Sequence, residues 1–440
     1  MNDALLHFFS EAELQQLARA CGFVTRTSPI TGFAFALAFT TGLLNTPTGT
    51  LAQIAAFLSS VCKTPVSPQA IDERLTVAAM AFMRCCLEKA LAMATRSRAS
   101  TGGMLAEFDH IYIIDSTNFE LPSALREIFK GSSGDSSASS MRIQLVLDYV
   151  TGRIYIEIGD TKLCDAPTLQ RLVENHTLDT SGKCLFLADL GYFKIDTFQA
   201  IHERHCFFLS KLMFSVVLND ETGAKLDLQA LLKKAPESFD KIVTLKGVTY
   251  RLVGKKLTDA VVNQRLRKAN RAAQYRRGGI VSDEYRLFLQ YAIFLTDLPL
   301  TYRMDVLYTL YRIRWQIELV FKTWKSILAI HKLKSGKLER VMCEVYGKMI
   351  LAAISSIIIA AVEIPQDKLV VSLHRAMQHL RSVALLWASA LFHGGHARSA
   401  FLSTLAKDIT RLCKKKTQKT KPSIETRLQE IQLASATPLA

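Results

Sequence analysis

Three carboxylates stand out because of the company each keeps. Asp115 follows the apolar "IYII" of "HIYIIDST", and Asp189 follows "CLFLA" in "CLFLADLGYF". A carboxylate beside so much apolar surface is costly unless it has a partner. Glu318, inside "YRIRWQIELVFKTWK", is the one acid between Asp305 and Glu339. Acids at the carboxyl ends of neighbouring central strands point into one crevice. Together with an acid on a facing helix they could hold two hard divalent cations through oxygen. Such a pair activates a water or a 3′-hydroxyl and stabilises the leaving oxygen in phosphodiester transfer. For either Asp alone, a turn-starting residue is a sufficient account; the third acid shifts the balance.

The neighbours of Glu318 carry the next clue. On a helix turning about 100° per residue, Tyr311, Arg314, Glu318 and Lys325 fall in a sector of roughly 60°. Leu310, Ile317, Phe321, Trp324 and Leu328 form an apolar stripe beside them. A phenol, a guanidinium and an ammonium next to a metal site would hold DNA phosphates. The competing account is a solvated face with helix ion pairs, in which Arg314 pairs with Glu318 one turn away.

The elements that would position these groups show in the hydrophobic periodicity. Residues 1–100 are helix-like. Within them "TLAQIAAFLSSVCKTPVSPQAIDERL" predicts helix, turn, helix, with Ser67 and Pro68 opening the second helix. That unit suits a DNA-reading helix-turn-helix or an ordinary helical hairpin equally. From about 108 the period becomes two. "HIYIIDST" predicts a strand ending at Asp115, and "MRIQLVLDYV" and "RIYIEIGD" predict a hairpin turned at "TG". A helix, a strand ending at Asp189, a helix and the strand "CFFLSKL" follow, so the class is α/β. The Gly/Ser-rich 130–140 reads as a loop. Within 213–300, "KIVTLK", "VTYRLV" and "YRLFLQYAIFLTD" predict strands. Over 251–286 ten Lys or Arg face three acids, which marks a basic segment containing Arg265, Arg267 and Lys268. The C-terminal part is helical and closes on a basic tail, "RLCKKKTQKTK".

A formal net charge of +16 suits a polyanionic partner, nucleic acid or an anionic membrane surface. The run "MILAAISSIIIAAV" at 349–362 is short for a membrane span and reads as a buried helix, so no membrane partner is expected. The start of the chain lacks a signal-peptide pattern. Nine cysteines without paired zinc spacing predict reduced thiols in the cytoplasm. "HERHC" at 202–206 has no partner cluster and is not expected to bind metal.

These residues carry a resemblance. Tyr311, Arg314, Glu318 and Lys325 match the Y-x2-R-x3-E-x6-K signature of bacterial transposases in insertion-sequence family four. "IIDST" resembles that family's first catalytic block and "ADLGYF" its second, and the resemblance runs over roughly 10–425. It implies an RNase H-like catalytic core, its halves at 105–212 and 301–370, interrupted by a β-rich basic insertion at 213–300. An N-terminal helical DNA-binding domain (1–104) and a C-terminal helical region (371–440) flank the core. It implies two Mg²⁺, with Mn²⁺ as a substitute, held by Asp115, Asp189 and Glu318. It also implies a homodimer on double-stranded DNA, namely inverted-repeat ends and target DNA. Tyr311, Arg314 and Lys325 would position the DNA end, and Arg265, Arg267 and Lys268 would contact it from the insertion. Water would cut the end and the freed 3′-hydroxyl would attack target DNA. A structure-specific nuclease of the same fold, or a DNA-binding relative without catalysis, are the alternatives. Two departures stand out. The insertion has no Trp of the kind that stacks a flipped base in some relatives, leaving Tyr275, Tyr285 or Tyr291 for that task. Leu190 replaces an Arg common in the second block.

Overall fold

The computed structural model describes residues 10–93, 103–131, 138–235, 237–275, 279–363, 370–415, 427–428 and 430–431. Residues 132–137 of the Gly/Ser-rich loop, Arg276 and Arg277, and the basic tail from 416 to 421 lie outside them. The chain divides into two compact units. The first comprises Met1–Thr101, Ser116–Leu163 and Trp315–Pro422, the second Gly102–Asp115, Cys164–Arg314 and Ser423–Ala440.

The first unit opens with helices α1 (Glu11–Ala20), α2 (Gly32–Leu37), α3 (Leu51–Ser60), α4 (Pro68–Arg74) and α5 (Val77–Met93). Their starts follow local chemistry. Thr50 and Gln53 form a capping box at α3, and Ser67 caps α4 with Pro68 in its first turn. The helix-turn-helix expected at 50–75 is therefore present as a pair of helices. Its second helix turns Arg74 inward, over the Phe23 ring and onto the Ile30 carbonyl. The exposed side chains of α4 include Gln69 and Glu73, which hydrogen-bond each other.

Strand β1 (His110–Glu120) runs from the second unit into the first. It does not end at Asp115 as the sequence predicts. The residues after Asp115 keep an extended backbone because they meet β2 (Ser140–Asp148). There Phe119 accepts from the Ser140 hydroxyl and Asn118 accepts from Arg142 Nε at 2.8 Å. β3 (Ile154–Gly159) pairs antiparallel with β2 across a turn in which Gly152 takes φ +75°. Helix α6 (Asp165–Glu174), β4 (Cys184–Ala188), α7 (Ile195–His202) and β5 (Phe207–Lys211) follow in the second unit. There β1, β4 and β5 pair in parallel, and the unbroken burial of Ile111–Ile114 and Cys184–Ala188 is that of strands covered on both faces.

Residues 213–300 contribute α8 (Leu228–Lys234), β6 (Ser238–Leu245), β7 (Val248–Lys256), α9 (Asp259–Tyr275), α10 (Asp283–Leu289) and β8 (Tyr291–Thr296). β8 pairs antiparallel with β5, β7 with β8, and β6 with β7, so these strands extend the sheet of the second unit in the order β1-β4-β5-β8-β7-β6. The described residues of 213–300 form three helices as well as three strands, so the segment is not mainly stranded. The strand expected over "YRLFLQYAIFLTD" begins only at Tyr291. Ahead of it Ser282 caps α10, with Asp283 and Glu284 in the first turn, and this overrides the apolar alternation.

The expected continuous helix over Tyr311–Lys325 is interrupted. α11 (Met304–Tyr311) ends in a 3-10 turn at Arg312–Arg314, and α12 (Trp315–Ser326) begins afresh in the first unit. A 3-10 turn has about 3.0 residues per turn, so the single wheel sector joining Tyr311 and Arg314 to Glu318 does not hold. α13 (Leu338–Glu363) is long and apolar enough to cross a membrane, and 78% of its most apolar window is buried. Lys348 lies wholly inside, and a Cβ at Gly347 would collide with the Phe39 carbonyl in the π-turn after α2. Most of α13 is core. α14 (Leu373–Ser382), α15 (Ala384–His393) and α16 (Gly395–Leu412) complete the first unit.

Candidate active site

The second unit gathers Asp115, Asp189, Tyr311 and Arg314, and adds Lys211. β1 and β4 are in register through Ile114↔Ala188, so Asp115 and Asp189 are the next residues on neighbouring strands. Such strands lie about 4.8 Å apart. β4 stops at Ala188, and Asp189 starts a short 3-10 turn. Arg314 Nη1 stands 3.5 Å from Asp115 Oδ2, with only 9% of the Arg side chain exposed. The Tyr311 hydroxyl lies 3.2 Å from Asp189 Oδ1 and 3.3 Å from the Ala188 carbonyl. Lys211 Nζ, from the end of β5, reaches Asp189 Oδ1 at 3.4 Å and sits over the Tyr311 ring at 5.4 Å.

The electrostatics follow from this geometry. Burial is the largest influence on Asp189 and pushes its carboxyl up. The charges of Lys211 and Arg314 and the Leu190 N–H together outweigh it and hold the group below the ordinary carboxylate range. Burial, then the Asp189 charge, pushes the Tyr311 phenol up, so it stays protonated and donates. Sequence reasoning missed Lys211. Its signal was a cation closing "FFLSK", the third parallel strand. Arg314 pairs with Asp115 through a contact that wheel geometry could not foresee.

In the first unit, Glu318 lies in the first turn of α12, where the helix dipole favours an acid, and Lys325 in the last, where it favours a cation. Lys325 belongs to a concentration of positive charge. Burial, then Lys332, Lys325 and Lys348, hold the His331 ring below its ordinary range, and His331 Nδ1 is buried without a hydrogen-bond partner. Lys348, pushed down to about 8 by burial, donates to the Ala329 carbonyl at 3.1 Å. Among the described residues, no group of three or more His, Cys, Asp and Glu could hold a metal ion. Asp115 and Asp189 lie in the second unit and Glu318 in the first.

The basic segment sorts into two kinds of side chain. Arg251 is buried, paired with Asp240 and donating to the Pro299 and Tyr302 carbonyls. Arg265 turns inward from α9, its Nη1 donating to the Tyr291 carbonyl at 2.9 Å, and burial lowers its pKa. Arg267, Lys268 and Arg271 are exposed and share a face of α9 with Tyr275. Of the three tyrosines, Tyr291 is buried with its hydroxyl near the Leu232 and Ala235 carbonyls, and Tyr285 stacks on Phe288 and packs tilted against Phe214. Tyr275 is 95% exposed.

Asp115 and Asp189 follow the last paired residues of the parallel β1–β4 register, the place where open α/β sheets put their ligand sites. This defines an α/β domain with a carboxylate centre at the carboxyl edge of its sheet. Comparison with known proteins identifies which: the family described as "Transposase DDE domain" matches residues 106–354, more than half of the chain, and the chain belongs to that family. It is 28% identical to the transposase for insertion sequence element IS1151 of Clostridium perfringens, over 82% of this chain and 80% of that protein. It is 25% identical to the transposase for insertion sequence element IS231B of Bacillus thuringiensis subsp. berliner, over 81% and 78%.

Proposed function

We propose that this protein cuts the ends of an insertion sequence and transfers the 3′-hydroxyl strand to target DNA. The observation that carries the reading is the Asp115–Asp189 pair on adjacent strands, each acid held by a cation. Mg²⁺ is commonly bound through one or two carboxylates plus substrate phosphates. The donors at this pair are oxygens, and Asp189 is held ionised, so the residues fit such an ion. Asp115, Asp189 and Glu318 would hold two Mg²⁺ or Mn²⁺. When bound, the ions activate the attacking hydroxyl and offset charge on the leaving oxygen.

The chain's own groups prepare that chemistry. Arg314 fixes the Asp115 carboxylate, and Tyr311 and Lys211 fix that of Asp189, so neither acid must reorganise when DNA arrives. Lys325 and the charge around His331 bind the phosphate beside the scissile one. The strand orders β3-β2-β1 and β1-β4-β5 support an RNase H-like core, and β6, β7 and β8 with α8–α10 form its insertion. Two copies synapse two DNA ends. The test supplies purified protein, Mg²⁺, a labelled end and a target plasmid. Joined product is expected; nicking without joining would assign the nuclease instead.

The insertion meets DNA phosphates through the outer face of α9. Neutralising Arg267, Lys268 and Arg271 together is expected to weaken binding to all DNA sequences. It should also flatten the slope of log K against log salt by about 0.9 for each phosphate no longer neutralised. An unchanged slope would mean these charges only solvate the helix. Arg265→Ala should instead lower the melting temperature, because its guanidinium joins α9 to the strand at Tyr291.

A further inference from the structure

We infer that Cys21 and Cys85 form an oxidation site in the first unit, a thiol pair that peroxide closes into a disulfide joining α1 to α5. The two Sγ atoms lie 3.5 Å apart, on residues distant in sequence. Both backbones are fixed. Cys21 caps α1, its N–H bonded to the Leu17 carbonyl at 3.0 Å, and Cys85 lies within α5. A second link, the Lys89–Glu13 ion pair, holds the same two helices together. A disulfide needs about 2.0 Å between sulfurs, so closure requires the two sulfurs to approach by about 1.5 Å.

Access separates this pair from the other cysteines. Cys62, Cys86, Cys184, Cys206, Cys343 and Cys413 are buried, and Cys164 is exposed. Cys21 and Cys85 are both half-buried, open to a small oxidant and in contact with each other. The chemistry balances with hydrogen peroxide as the oxidant. One thiolate attacks the O–O bond, becomes a sulfenic acid and releases the first water. The other attacks that sulfur and releases the second, so two thiols and one peroxide give one disulfide and two waters. Burial, then the hydrogen bond with Cys85, pushes the Cys21 thiol up to about 11. The closed bond would link α1 to α5 across the intervening chain and restrict the unfolded state.

The full-length protein treated with peroxide, alkylated and digested with trypsin without reductant tests this. The expected product joins Ala20–Arg26 to Cys85–Lys89, with fragmentation assigning the bond to Cys85 and not to adjacent Cys86. The oxidised protein should melt about 5 °C higher than the reduced protein. Reductant should reverse that rise, and Cys85→Ser should abolish it while Cys164→Ser keeps it. Recovery of alkylated or sulfinic Cys21 and Cys85 without the joined peptide would overturn the inference. So would a joined peptide bonded through Cys86.

Discussion

Asp189→Asn protein is expected to bind insertion-sequence ends at close to wild-type affinity and to cut them about 10³-fold more slowly, a barrier increase of about 4 kcal/mol. The substitution keeps the side chain's shape and its hydrogen bond from Tyr311, while removing the charge that a divalent cation requires. Binding should survive because it comes from Lys325, its neighbouring cations and the outer face of α9. Asp189 is partly exposed and its partner Lys211 has access to water, so the melting temperature should move little. Asp115→Asn should slow cutting as much and also lower stability, since it takes the charge from the partner of buried Arg314. Asp196→Asn is the control: that acid pairs with Lys246 at the surface, and its loss should leave cutting unchanged. Near-normal cutting by Asp189→Asn in Mg²⁺ would remove Asp189 from the metal site.

Where the sequence was legible, simple physics governed the element. β1, β4 and β5 read as apolar runs because parallel strands covered on both faces tolerate little else. Asp115 and Asp189, which follow two of those runs, stood out against that background. The α3 and α4 starts were legible from Thr50, Ser67 and Pro68, which act within one turn. The misreadings fell where distant partners override local pattern. Nothing in "YRIRWQIEL" marks a 3-10 turn. Its position coincides with the reach of Tyr311 to Asp189 and of Arg314 to Asp115, groups more than a hundred residues away in sequence. Asp115 seemed to end a strand because the apolar run ends there, whereas β1 continues on polar residues that β2 pairs. Net charge likewise marked the segment 251–286 as basic without telling buried Arg251 and anchored Arg265 from the free face of α9.

Arg314→Ala and Lys325→Ala are expected to fail in different ways, although both residues belong to one signature. Arg314 is nearly buried against Asp115. Removing one partner of such a pair typically costs about 3–5 kcal/mol, because the remaining charge loses its counter-charge. Asp115 retains some access to water, so a value near 3 kcal/mol is expected, and the melting temperature should fall by several degrees. Cutting should fall further than the loss of folded protein explains, because Asp115 loses the group that orients it. Lys325→Ala removes a half-buried cation whose charge, with those of Lys332 and Lys348, bears on the His331 ring. Its favourable place at the end of α12 is worth about 0.3–1 kcal/mol, so stability should change little. End-complex formation and cutting should both drop, by about tenfold for one phosphate interaction of about 1.4 kcal/mol. Melting temperature, end binding and cutting, measured on the same two proteins, separate the roles. A destabilised Lys325→Ala protein with normal activity per folded molecule would make Lys325 structural. An Arg314→Ala protein of unchanged stability that fails only in DNA binding would return Arg314 to the phosphate-binding role first expected of it.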